Sequence, residues 1–119
     1  MSEESTGMDK DFFPPFPWCL VTVRNLSDTG KVSVRGYIDT GSDGTIVTDE
    51  VGKRLKLYEH PVTVAETMSI GGKPEERILY AAVFILKGVE IVTAVDIRED
   101  VKEVLLGRDV LQHLILSLD

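Results

Sequence analysis

The chain has 119 residues, which is enough for one domain and too few for two domains of ordinary size. Its 43% hydrophobic and 28% charged residues are typical of a folded globular domain. The net charge of −7 argues against nucleic acid as a partner, because binding through phosphates needs a basic surface. No apolar run approaches the roughly 18 residues of a membrane-spanning helix, so we expect no membrane partner.

The chain contains few residues for disulfide or metal chemistry. A single cysteine, Cys19, cannot form a disulfide within the chain, and His60 and His113 do not complete a zinc-binding set with it. The first ten residues lack the basic and apolar regions of a secretory signal peptide. We therefore expect an intracellular, cytoplasmic protein with no metal and no other cofactor.

Residues 1–17 are predicted to be an acidic, proline-rich extension or linker before a domain over 18–119. Residues 1–11 are polar and acidic, and we expect them to be disordered. Three prolines in residues 12–17 exclude a helix and favour an extended segment. This segment is either a linker whose phenylalanines cover an edge of the fold or a recognition motif for a partner.

The rest of the chain is predicted to be mostly β. Apolar and polar residues alternate over 18–25 and 31–38, and the turn residues between them predict a β-hairpin. A second hairpin is predicted over 61–70 and 75–86, around a pair of glycines. Further strands are predicted over 45–47, 89–97 and 115–118.

Two short helices are predicted among the strands. Thr48 is a suitable N-cap for a helix at about 49–57, whose acidic first turn and basic last turn match the helix dipole. Residues 108–114 form the second predicted helix, with apolar residues on one face. Many strands, two short helices and no regular alternation of strand with helix predict a mostly-β barrel.

The triplet Asp-Thr-Gly occurs twice, at 28–30 and at 39–41. The first copy lies in a polar hairpin turn, where these residue types supply turn geometry. The second copy lies between two apolar strands, so the Asp39 carboxylate is predicted to be held at a fixed place beneath a cleft. Asp39 could also serve only as a turn cap, and the triplet alone does not separate the two interpretations.

The residues around Asp39 resemble the active-site stretch of retropepsin-like aspartic proteases. Residues 37–47 read Tyr-Ile-Asp-Thr-Gly-Ser-Asp-Gly-Thr-Ile-Val, in which two apolar residues precede Asp-Thr-Gly and a Thr-apolar-apolar segment follows. Residues 105–109, Leu-Leu-Gly-Arg-Asp, resemble the sequence that opens the C-terminal helix in that family. A glycine pair at 71–72 stands where the family places the tip of its flap hairpin. The resemblance extends over residues 18–118.

This resemblance implies a retropepsin-like closed β-barrel with a flap hairpin and two short helices, assembled as a homodimer. Each subunit would contribute one Asp39, and the two carboxylates would share a proton while activating water against a peptide bond. The implied function is that of an aspartic endopeptidase acting on peptide or protein substrates. The alternative is a catalytically inactive, transposon-derived module that dimerises or binds peptides. A third interpretation is an unrelated small barrel that carries the motif by chance.

The resemblance also implies roles for residues around the catalytic Asp39. Asp43 and Arg108 are expected to form a partly buried ion pair that ties the loop to the last helix. The residues implied to support the loop are Thr40, Gly41, Ser42, Asp43 and Arg108. The residues implied to bind substrate are Gly41, Ile46, Val47, Ile70, Gly71, Gly72 and Leu105.

Overall fold

The computed structural model describes residues 6–9, 16–68 and 72–117. Within these ranges the chain forms eight β-strands and two α-helices. The strands are β1 Thr6–Asp9, β2 Phe16–Arg24, β3 Lys31–Ile38, β4 Ile46–Thr48, β5 Pro61–Met68, β6 Pro74–Leu86, β7 Val89–Arg98 and β8 Val104–Leu106. The helices are α1 Asp49–Arg54 and α2 Arg108–Ser117, and a 3-10 turn spans Leu57–Glu59.

The strands form one sheet that closes on itself. Their order is β1-β2-β3-β8-β4-β7-β6-β5, and β2 also pairs with β6 through residues such as Val23 and Phe84. This additional pairing closes β2, β3, β8, β4, β7 and β6 into a six-stranded barrel. The structure confirms the predicted mostly-β barrel with two short helices.

The β5–β6 hairpin extends beyond the barrel. Along β6, pairing with β7 begins only at Leu79, which lies opposite Asp96, whereas residues 74–78 pair with β5. This projecting hairpin is the element predicted as a flap. Of the predicted flap-tip residues, Ile70 and Gly71 lie outside the described residues.

The core fills the barrel interior with aliphatic side chains from most of the strands. Both helices contribute to it, through Val51 and Leu55 around α1 and through Val110 of α2. Among the residues whose burial is described, Phe84 is the largest fully buried side chain. Removing this apolar surface from water is the main source of stability, and it fixes the barrel to which the loop after β3 is attached.

The beginning of the chain differs from the expectation of disorder over residues 1–11. Thr6–Asp9 form β1, which pairs antiparallel with β2, with Thr6 opposite Cys19 and Asp9 opposite Phe16. Strand pairing uses backbone N–H and C=O groups, so a polar segment can add to an available strand edge. The prediction of disorder is wrong for these residues.

Two predicted boundaries are also wrong. The strand expected over 115–118 does not form at residues 115–117, because α2 continues to Ser117. A helix satisfies its backbone groups internally, and residues 109–117 contain no glycine or proline that would end it. The helix expected over 49–57 ends as α1 at Arg54, before Lys56 takes a left-handed conformation with φ of 56°.

Candidate functional site

Asp39 follows directly after β3, at the start of the loop that leads to β4. Its backbone N–H donates to the Leu106 carbonyl of β8 at 3.0 Å. Its carboxylate accepts a hydrogen bond from the Gly41 N–H at 3.1 Å, and its carbonyl accepts one from the Ser42 N–H at 3.2 Å. These contacts make a tight turn that presents a half-buried carboxylate at the end of two paired strands.

The N-terminus of α2 holds the same loop from the other side. The Arg108 N–H donates to the Ser42 carbonyl at 2.8 Å, and the Asp109 N–H donates to the Asp43 carbonyl at 3.2 Å. The first N–H groups of a helix have no partner within the helix, and here the loop carbonyls supply that partner. The position of the loop therefore depends on the position of α2.

A buried hydroxyl completes this anchoring. Thr45 donates to Asp109 Oδ1 at 2.7 Å and accepts from the Gly107 N–H at 3.0 Å, while Thr93 of β7 donates to Asp109 Oδ2 at 2.8 Å. Sequence analysis did not assign a role to Thr45, Thr93 or Asp109. Asp109 lies in the segment that resembles the family's helix-opening sequence. Its partners Thr45 and Thr93 are distant along the chain, so the local pattern does not predict these hydrogen bonds.

Asp43 and Arg108 are in contact through Oδ1 and Nη2. Their side chains are 89% and 57% exposed, so the expectation of a partly buried ion pair is wrong. At this exposure water screens the two charges. Exposed pairs of this kind contribute roughly 0–1 kcal/mol to stability.

A cavity of about 490 Å³ opens beside the loop. Ile46, Leu79 and Ala94 line it with apolar surface. Of the predicted substrate-binding residues, Ile46 therefore lies at the cavity. Val47 has no exposed surface and belongs to the core, which does not support a substrate-contacting role for its side chain. Leu105 is half-buried on β8 and lies outside the residues lining this cavity.

Asp96 is a buried carboxylate at the wall of the cavity. Arg77 Nε donates to its Oδ1 at 3.0 Å, and Arg98 Nη1 lies 3.6 Å from its Oδ2. A buried carboxylate needs such partners because desolvation penalises an unpaired charge. Arg98 also donates two hydrogen bonds to Asp100, and these lower the pKa of the Asp100 carboxyl group.

The remaining predicted residues occupy exposed positions. Thr40 and Gly41 are exposed on the loop, and Gly72 is exposed with φ of 76°, a left-handed conformation that glycine adopts without strain. Asp28, from the other Asp-Thr-Gly copy, lies exposed in the turn between β2 and β3.

Two kinds of feature do not occur within the described ranges. No group of three or more His, Cys, Asp or Glu side chains there is placed to hold a metal ion. Neither helix in those ranges has the length and apolar character needed to cross a membrane.

Comparison with solved structures identifies the fold of this chain. No protein-family model and no curated protein sequence matches the chain. Among solved structures, the EIAV protease in complex with the inhibitor HBY-793 is similar, with 26% identity, a TM-score of 0.60, and coverage of 83% of this chain and 88% of that one.

Two cellular proteins have the same fold at lower identity. A retropepsin-like aspartic protease from Rickettsia conorii is 16% identical, with a TM-score of 0.60, over 95% of this chain and 86% of that one. The retroviral protease-like domain of Ddi1 from Leishmania major is 18% identical, with a TM-score of 0.52, over 79% and 74%. The chain therefore has the retropepsin-like fold, which it shares with retroviral and retropepsin-like aspartic proteases.

Proposed function

We propose that this chain is an aspartic endopeptidase whose active site forms between two copies of the chain. The observation that carries the proposal is the Asp39 loop: an Asp-Thr-Gly turn at the end of β3, held by β8 and α2, in a retropepsin-like fold. The backbone contacts hold the carboxylate at a defined place relative to the barrel. A catalytic carboxylate needs such a fixed position.

Asp39 needs a second carboxylate to perform the chemistry of this class. The other Asp-Thr-Gly copy lies in the β2–β3 turn, so a two-fold axis that brings Asp39 to Asp39 of a second copy is the simplest way to complete the pair. Two carboxylates held close together cannot both ionise freely, so they share one proton.

The shared proton defines the two roles in catalysis. The ionised carboxylate accepts a proton from water as the water oxygen attacks the peptide carbonyl carbon. The protonated carboxyl group donates a hydrogen bond to the carbonyl oxygen and stabilises its developing negative charge. The proton taken from water then goes to the amide nitrogen as the C–N bond breaks, so no cofactor is required.

The surroundings of the loop provide the means to hold an extended peptide. The exposed Gly41 carbonyl is a backbone acceptor next to the catalytic carboxylate, and the cavity lined by Ile46 and Leu79 can take an apolar side chain. The β5–β6 hairpin, which leaves the barrel near Leu79, would cover the bound peptide and exclude water.

A pair of isosteric variants tests the proposal. Asp39→Asn should abolish cleavage of a diverse peptide library, whereas Asp28→Asn, in the exposed turn, should leave most of the cleavage intact. Both variants should keep the wild-type circular dichroism spectrum. A folded Asp39→Asn variant that still cleaves would refute the assignment, and a folded, dimeric wild type that cleaves nothing would favour the inactive peptide-binding alternative.

The pH dependence of association gives a second test. Because the paired carboxylates retain a proton that separate chains release, the dimer binds more protons than two monomers, and association should weaken as pH rises from about 5 to about 8. Asn cannot ionise, so Asp39→Asn should show a smaller pH dependence in sedimentation experiments. A wild type that cleaves peptides while remaining monomeric at all protein concentrations would exclude a two-chain site.

A further inference from the structure

The projecting β5–β6 hairpin has exposed apolar side chains on both of its strands. Val62 and Val64 are each 59% exposed, and Ile78 of β6 is 50% exposed. Val64 and Ile78 lie directly opposite each other in the β5–β6 register. Cross-strand partners point to the same face of a sheet, so these two side chains form one apolar patch.

Two glutamates continue the same face. Glu66 lies directly opposite Glu76, two residues beyond Val64 and Ile78. Both side chains are exposed, and neither carboxylate has an ion-pair partner among the described residues. Like charges directly opposite each other on a sheet repel. A cation placed between Glu66 and Glu76 would relieve that repulsion.

The backbone edge of β5 is also open to pairing. In the part of the chain that the structure describes, β5 is the last strand of the sheet. Natural edge strands are usually protected by lysine, proline or a bulge. On β5 the proline and the irregularity occur only at the start, between Pro61 and Thr63, and no lysine lies on the strand.

We propose that β5 is a docking site for an extended segment of a protein partner, which adds to the sheet as a further strand. The segment would carry apolar residues opposite Val62 and Val64 and a basic residue, two positions along, opposite Glu66. Backbone hydrogen bonds would supply the pairing, and the alternating side chains would supply the selectivity. The docking does not require catalysis at Asp39, although it uses the hairpin proposed to cover the peptide there, and Glu66 also lines the cavity beside the Asp39 loop.

The charge on this surface favours such a partner over a second copy of the chain. Pairing β5 with β5 would add the Glu66 carboxylates of both copies to one surface, in a protein whose net charge is already −7. A basic segment instead meets the acidic pair with complementary charge, which favours its association and disfavours self-association.

Two synthetic peptides test the inference. The first, Lys-Thr-Val-Thr-Val-Thr-Lys, places a lysine beside the acidic pair whether it binds parallel or antiparallel; the second has glutamates in place of the lysines. Binding is followed by amide NMR of the Asp39→Asn protein, which prevents loss of peptide by cleavage. We expect the lysine peptide to bind about tenfold more tightly than the glutamate peptide, with the largest shift changes over residues 62–66. Residues 42–46, which line the cavity beside the Asp39 loop, should shift less, whereas larger changes there would mean that the peptide binds in that cavity.

Three variants provide the controls. Val64→Lys should weaken binding of the lysine peptide at least about fivefold, whereas Val92→Lys, which adds the same charge at an exposed valine of β7, should not. Glu66→Lys should reverse the preference in favour of the glutamate peptide.

Several outcomes would overturn the inference. They are equal affinity for the two peptides, shift changes centred away from β5, and equal effects of Val64→Lys and Val92→Lys. Concentration-dependent self-association that Val64→Lys abolishes would instead assign this surface to a second copy of the chain.

Discussion

The substitution Gly107→Ala, between β8 and α2, tests which contacts hold the Asp39 loop in position. A Cβ atom added at Gly107 would lie 2.2 Å from the Gly44 carbonyl oxygen, 2.5 Å from its carbonyl carbon and 3.0 Å from the Ser42 carbonyl oxygen. All three are backbone atoms, so no side-chain rotation can relieve the overlap. The substitution Gly107→Ala must move the loop away from α2.

The expected cost follows from these contacts. Overpacking a tight site costs typically 1–3 kcal/mol, and displacement of the loop would also weaken the hydrogen bond from the Gly107 N–H to Thr45. We therefore expect Gly107→Ala to lower the free energy of unfolding by about 3 kcal/mol. Gly44→Ala is the matched control, because a Cβ atom there meets no atom within 4 Å beyond its two neighbours in the chain. It should change stability by less than about 0.5 kcal/mol.

Denaturation by urea, with circular dichroism as the signal, measures both variants. If proteolysis is confirmed, the Gly107→Ala variant should also lose most of its kcat, because the loop that carries Asp39 is displaced. Equal stability of the two variants, or a loss below about 0.5 kcal/mol for Gly107→Ala, would refute the reasoning that backbone contact between loop and helix positions the site.

Three further predictions concern single side chains. Arg108→Ala should lower the free energy of unfolding in urea by less than about 1 kcal/mol, because its pair with Asp43 is exposed; a loss of several kcal/mol would contradict this. Arg77→Met should cost about 2 kcal/mol, because it removes a hydrogen bond to the buried Asp96 while Arg98 remains beside that carboxylate, and Arg77→Lys should cost less; equal losses would exclude a charge effect. Burial raises the pKa of the Cys19 thiol, so alkylation by iodoacetamide at neutral pH should be slow until denaturant is added; rapid labelling of the folded protein would contradict this.

Local pattern was sufficient to predict the class of fold. Alternating residues predicted the β2–β3 hairpin, and the structure pairs it with Val21 opposite Val34 and Val23 opposite Val32. Thr48 was predicted to cap a helix, and its hydroxyl accepts from the Val51 N–H at 3.2 Å. These features depend on residues close together along the chain, so their side chains carry the signal directly.

The sequence also predicted the different surroundings of the two Asp-Thr-Gly copies. Asp28 stands among turn residues, whereas Asp39 stands between two apolar segments, and the structure places them in a turn and after β3. The element boundaries were less predictable. Thr6–Asp9 pair with β2 through backbone groups, which the side chains of this segment do not reveal, and nothing in residues 109–117 marks where α2 ends.

Only the tertiary structure decided which residues hold the site together. Thr45 and Asp109 are 64 positions apart, and their hydrogen bond exists because β4 and the start of α2 meet when the barrel closes. The same closure buries Val47 completely and leaves the Arg108–Asp43 pair in water. Composition and periodicity report the preferences of each segment. The partner and the burial of a side chain depend on which segments are brought together, and that is a property of the packed barrel.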